Sequence, residues 1–177
     1  DVKNVVLITH PDGNSASQEP KRTAVEFRQI AKGTRLFTDI DSIVTAVAPE
    51  LEGLKALPLS YWNMKKEATV IDFTAKKPVT MLVGYFRDDQ IKYAPAPKLE
   101  TDASANDYGQ AEAALTSAIQ IDGMPQVNVH PYHFGAGHHT LSLPKGILLV
   151  LGFTDSEPAQ RDCGLSGSDK SIDWLFH

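Results

Sequence analysis

Apolar and polar positions change places over short distances along this chain, in the two-residue rhythm that sends alternate side chains to opposite faces of a strand. The pattern predicts strands over 3–9, 23–31, 43–47, 69–74, 79–86, 126–130, 140–143, 147–154 and 172–176, where Val, Ile, Phe and Thr are concentrated. In Val70-Ile71-Asp72-Phe73 and Val25-Glu26-Phe27-Arg28 apolar and polar residues partly alternate, as on strands with one wet face. Segments 79–86 and 147–153 are apolar on both faces, which predicts central strands. Turn chemistry separates the runs at Pro11-Asp12-Gly13-Asn14, Lys76-Lys77-Pro78, Asp122-Gly123-Met124-Pro125 and Pro144-Lys145-Gly146. Only 105–119 reads as a helix, with Tyr108, Ala111, Leu115 and Ile119 at helical spacing among several alanines. Residues 87–107, with Pro95 and Pro97, read as a long loop of the kind that often carries function. The expectation is a single all-β sandwich domain over 1–177 with one helical insertion at about 105–119; no linker or repeat divides it.

A length of 177 residues suits one domain that buries roughly 70% of its unfolded surface. Composition is that of a globular protein, which excludes a fibrous or wholly disordered chain. The net charge of -5 is unevenly spread: Lys and Arg number 14 against 13 Asp and Glu over residues 1–100, and 3 against 9 over 101–177. With no basic stripe, nucleic acid and anionic membrane are not expected partners. The longest apolar run, Ile147 to Leu151, falls far short of the roughly 20 residues of a membrane span. Cys163 is the only cysteine, so no intrachain disulfide can form.

Over residues 33–85 the punctuation takes a recognisable form. Gly33 is followed by Leu36-Phe37-Thr38-Asp39, Pro49-Glu50-Leu51-Glu52-Gly53, Phe73, Lys77-Pro78-Val79 and Val83-Gly84-Tyr85. Later comes Leu143-Pro144-Lys145-Gly146-Ile147-Leu148-Leu149-Val150-Leu151-Gly152. This layout resembles the galactose-binding-like jelly-roll modules attached to bacterial secreted polysaccharide-degrading enzymes. Ile40 and Ser42 depart from it, standing where those modules often carry Arg and Tyr. The resemblance implies a jelly-roll sandwich, non-catalytic carbohydrate binding, a glycan or polysaccharide partner, and a secreted, periplasmic or cell-surface location. A chain that starts at Asp1 rather than methionine is compatible either with a mature secreted protein or with a chain cut from a longer one. Each matching residue also has a packing explanation: Gly53 and Gly84 at tight or left-handed backbone, Pro49 and Pro78 where strands begin.

Candidate chemistry falls in three places. Rings interleaved with amides and guanidinium suit sugars, because a pyranose face stacks on a ring while planar groups bind hydroxyls in pairs. Tyr61-Trp62-Asn63 and Arg87-Asp88 carry that mixture near strand ends, and Tyr132 and His133 add to it. His130, His133, His138 and His139, four histidines within ten residues, offer imidazoles for a transition metal and, with it, an alternative reading as a metal-dependent hydrolase or lyase. Asp39, Asp41, Asp88, Asp89 and Asp155 supply oxygens of the type a structural Ca2+ takes, without a D-x-D-x-D-G loop. No catalytic signature is coherent: the run around Cys163 and Ser166 lacks the G-x-S-x-G order, and Glu50 and Glu52 flank a turn. A third reading is a structural domain packing against a catalytic partner.

Overall fold

A computed structural model describes residues 2–9, 21–97 and 112–165. In chain order the elements are β1 (Val2–Thr9), β2 (Lys21–Ala24), β3 (Arg28–Gln29), β4 (Val44–Val47), β5 (Lys55–Ala56) and the one-turn helix α1 (Tyr61–Met64). They continue with β6 (Thr69–Ala75), β7 (Val79–Phe86), β8 (Leu115–Ile121), β9 (Val127–Phe134), β10 (Gly137–Leu143), β11 (Leu149–Thr154) and β12 (Arg161–Asp162).

The strands form an all-β sandwich of two main sheets. One has the order β10-β6-β1-β2 and is antiparallel throughout. The other runs β11-β7-β9-β8, and the far side of β8 is shared end to end by β12, which is parallel, and β4, which is antiparallel. Phe73 of β6 meets Phe134 of β9 edge-on at 5.0 Å and Phe153 of β11 at 4.9 Å, so aromatic rings join the two inner faces. Tyr85 and Tyr132, both fully buried, hydrogen-bond through their hydroxyls, which satisfies two polar groups inside an apolar core.

Sequence pattern and structure agree where alternation or two-sided apolarity was strongest. The segment 79–86 is β7, buried along its whole length between β11 and β9. Gly84 on this strand is there for closeness: a Cβ would lie 2.8 Å from Val127 Cγ1 across the ladder. The other predicted central strand, β11, ends its sheet, yet its outer side is covered because Leu57 bridges Val150. Segment 23–31 breaks into β2 and β3, and only β3 pairs with β5. The 172–176 strand and the Pro11-Asp12-Gly13-Asn14 turn lie outside the described residues.

The predicted helix over 105–119 is corrected where it can be seen: Leu115 to Ile119 belong to strand β8, while 105–111 lie outside the described residues. A spacing of four is a multiple of two as well as nearly one helical turn, so Leu115 and Ile119 share a face in either conformation. Pairing with β9 and β4 decides for the strand, and Leu115, Ile119 and Ile121 are buried in it. A register shift between Leu115 and Ile119 is centred on Ser117. Ser117 takes a φ of 49° and is held by Asn128 Oδ1 on its N–H and Gln126 Oε1 on its hydroxyl.

Candidate functional site

The end of the sandwich where β7 and β10 finish and β11 begins is built from three segments tied by backbone hydrogen bonds. The Gly146 N–H donates to Met64 O, the Ile147 N–H to Lys92 O and the Ala94 N–H to Ile147 O, so α1, the 92–94 stretch and the turn before β11 form one surface. Gly146 is required by both tests of a glycine: its φ is 124°, and a Cβ would stand 2.4 Å from Ala94 N.

Ser60 caps α1 by accepting from the Asn63 N–H at 3.1 Å. Asp39 holds the cap in turn, accepting from Ser60 Oγ at 2.6 Å and from the Tyr61 and Trp62 N–H groups at 2.8 and 3.3 Å. The helix is too short to be stable alone. Asp39 and the Phe37 ring, edge-on to Tyr61 at 5.5 Å, anchor it to the sandwich. The result is an aromatic shelf. Tyr61 and Trp62 meet edge to face at 5.2 Å, Trp62 is 52% exposed, and Lys65 sets its ammonium 4.7 Å from the Trp62 ring centre.

At the same end lies an open groove of about 1090 Å³ lined by Arg87, Asp88, Asp89, Ile91, Tyr93 and Lys145, among others. Arg87 Nη1 donates to Gln126 Oε1 at 2.9 Å, and Asp88 accepts from the Gln90 backbone and side chain. Tyr93 joins groove to shelf: burial pushes its phenol pKa up, and Tyr61 and then Asp88 add to that electrostatically. Lys92 sits over the Tyr93 ring at 5.2 Å. The structure thus brings Tyr61, Trp62, Arg87 and Asp88 to one end. Asn63 is turned aside, donating to Glu67 and lining a small cavity of about 70 Å³ against Leu7 and Ile8.

Tyr132 and His133 do not join them. As a surface ligand group Tyr132 is corrected: it is 1% exposed, its hydroxyl bonded to Tyr85 between the sheets. His133 is on the surface, bonded to Thr80 Oγ1 at 3.1 Å and Glu157 Oε1 at 3.2 Å, on the β9 residue paired with Thr80, near the β7 end opposite the groove. The four histidines are dispersed rather than gathered for a metal. His130 is buried edge-on to Tyr85, His138 donates to Asp72 at 2.8 Å, and His139 lies against Phe73 and Phe134 with its Nε2 at Gly135 O. Among the described residues no three His, Cys, Asp or Glu side chains converge as a metal site. The acidic set considered for Ca2+ is likewise spread, Asp39 to α1, Asp41 to Arg35 and Asp155 to Lys77.

Two carboxylates away from this end have lowered pKa values. Arg161 grips Glu50 with two bonds, Nε to Oε2 at 2.5 Å and Nη2 to Oε1 at 2.8 Å, which lowers the Glu50 pKa to about 2. Asp72, on the outer face of its sheet, is held below the usual carboxylate range by the Thr140 hydroxyl, then His138 and Arg22. Burial raises the Cys163 thiol, the opposite of what an activated nucleophile needs.

Sequence reasoning found the shelf and one wall of the groove but missed Lys65, Lys92, Tyr93 and Lys145. Lys65 had a signal, three residues after Trp62 on one helical face. Lys145 joins Lys92 and Tyr93 only through tertiary contacts.

No family model and no curated protein matches the sequence. Among solved structures, a GH138 enzyme targeting pectin rhamnogalacturonan II is similar over 87% of this chain, with 45% identity and a TM-score of 0.76. The match occupies 17% of that enzyme's chain, so this chain spans a small part of its length.

Proposed function

We propose that the chain is a carbohydrate-binding β-sandwich module, of the galactose-binding-like jelly-roll kind, that holds a glycan without cleaving it. The observation that carries this is the exposed Trp62 shelf at the same end of the sandwich as the groove lined by Arg87, Asp88 and Tyr93. A ring face and planar polar groups at one end of a sandwich are what a pyranose needs. The likeness to part of a GH138 enzyme supports a carbohydrate-related role and points to pectic polysaccharide as the first ligand to try. The location that goes with this role is secreted, periplasmic or on the cell surface. The test is calorimetric titration with rhamnogalacturonan II and other plant polysaccharides. Trp62→Ala is expected to weaken binding about tenfold, ~1.4 kcal/mol, with an unchanged melting temperature. Undiminished affinity in that variant overturns the shelf as the site, and a folded chain that binds no glycan overturns the function.

A second reading, a domain that packs on a catalytic partner, draws on a different face. Phe27 is 41% exposed beside a cavity of about 470 Å³ lined also by Leu54, Val79 and Phe153. It predicts no glycan affinity.

A further inference from the structure

Resting on the glycan-binding reading, we propose that Gln126 is a positioning residue, which sets the Arg87 guanidinium in the groove by tying it to the bulge at Ser117. The motivating observation is that side chains from two different segments converge on one atom. Gln126 Oε1 accepts from Arg87 Nη1 at 2.9 Å and from Ser117 Oγ at 3.2 Å. Because a guanidinium can only donate, the Arg87 bond fixes which end of the amide faces inward. Gln126 holds Arg87 through its backbone as well, its carbonyl accepting the Arg87 N–H at 2.8 Å. A single residue just before β9 therefore grips both ends of Arg87, the residue that follows β7.

The far side of the grip is firmly fixed. Ser117 is buried at a φ of 49°, which side chains with a Cβ rarely adopt, and the ladder between β8 and β9 shifts register around it. Its N–H donates to Asn128 Oδ1 at 3.0 Å and its carbonyl accepts from the Leu165 N–H at 2.9 Å, so with the hydroxyl on Gln126 all its polar groups are engaged. A residue other than glycine persists in that conformation where its surroundings over-determine it, and bulges of this kind re-aim side chains next to sites. Here the hydroxyl is aimed at the Gln126 amide. Arg87 is exposed, and a long exposed side chain left to itself samples many rotamers. Held through Gln126, its guanidinium meets a pair of sugar hydroxyls with less ordering still to be done on binding.

The test titrates the full chain and its variants with rhamnogalacturonan II and the other plant polysaccharides used above, and follows thermal unfolding alongside. Gln126→Ala is expected to weaken binding about fivefold at an unchanged melting temperature, and to weaken it no further in an Arg87→Ala background. Ser117→Gly removes the hydroxyl while relieving the backbone, so affinity is expected to fall while the melting temperature holds or rises. A merely structural role for the bulge does not move the two in opposite senses. Gln126→Ala binding as tightly as the wild-type chain overturns the positioning role and leaves the glycan-binding reading standing. An equal loss with and without the Arg87 side chain overturns it too, because Gln126 then acts by itself. Full affinity in Ser117→Gly overturns the part given to the bulge. A wild-type chain that binds none of the polysaccharides overturns both readings.

Discussion

At the scale of single residues, what a side chain does here follows from who meets it. Trp62 and Tyr132 are both rings in polar neighbourhoods of the sequence, yet one is half exposed on a shelf and the other sealed between sheets. Glu50 flanked by Glu52 reads as an acidic turn, and Arg161, 111 positions away, lowers its pKa to about 2. A carboxylate with a lowered folded pKa contributes stability that is complete above its ordinary value of 4.5 and is lost as pH falls through about 2. Unfolding free energies measured from pH 6 to pH 2 are therefore expected to fall with acid. Arg161→Met should flatten that slope between pH 4.5 and 2, while Asp72, lowered in the same sense, preserves part of it. An identical slope in the variant would show that the pair carries none of the acid sensitivity.

At the scale of elements, strand identity was legible where the apolar pattern was strongest, as in β6 and β7, whereas the alternating stretch 25–27 falls between β2 and β3. It failed at β8, where Leu115 and Ile119 satisfy both periods and only hydrogen bonding to β9 and β4 discriminates. It also missed α1, which has four residues and stands because Asp39 and Phe37 support it. Two glycine substitutions test these elements. Gly146→Ala forces a Cβ against Ala94 N at a φ of 124°, and thermal unfolding is expected to show a loss of about 2–4 kcal/mol. Because Gly146 ties Met64 to the turn before β11, glycan affinity should fall with it. Gly84→Ala overpacks side chains alone, Val127 and Leu149, and a smaller loss of about 1–3 kcal/mol is expected with affinity kept. A Gly84→Ala chain more damaged than Gly146→Ala would mean that the core, rather than the backbone junction at the groove, is the less forgiving place.

At the scale of the whole molecule, two sheets joined through Phe73, Phe134 and Phe153 provide a stiff body, and function is placed in segments at one end of it. The sequence by itself determined the all-β class, the fully buried β7, the turn at Asp122-Gly123 and the aromatic pair Tyr61-Trp62, because each rests on neighbours within a few positions. Only the tertiary structure decided that β8 is a strand, that the four histidines have separate partners, and that Lys145 and Tyr93 share a groove with Arg87. Those outcomes depend on contacts between segments tens of residues apart. Local periodicity does not encode such distances, and closure of the sheets sets them.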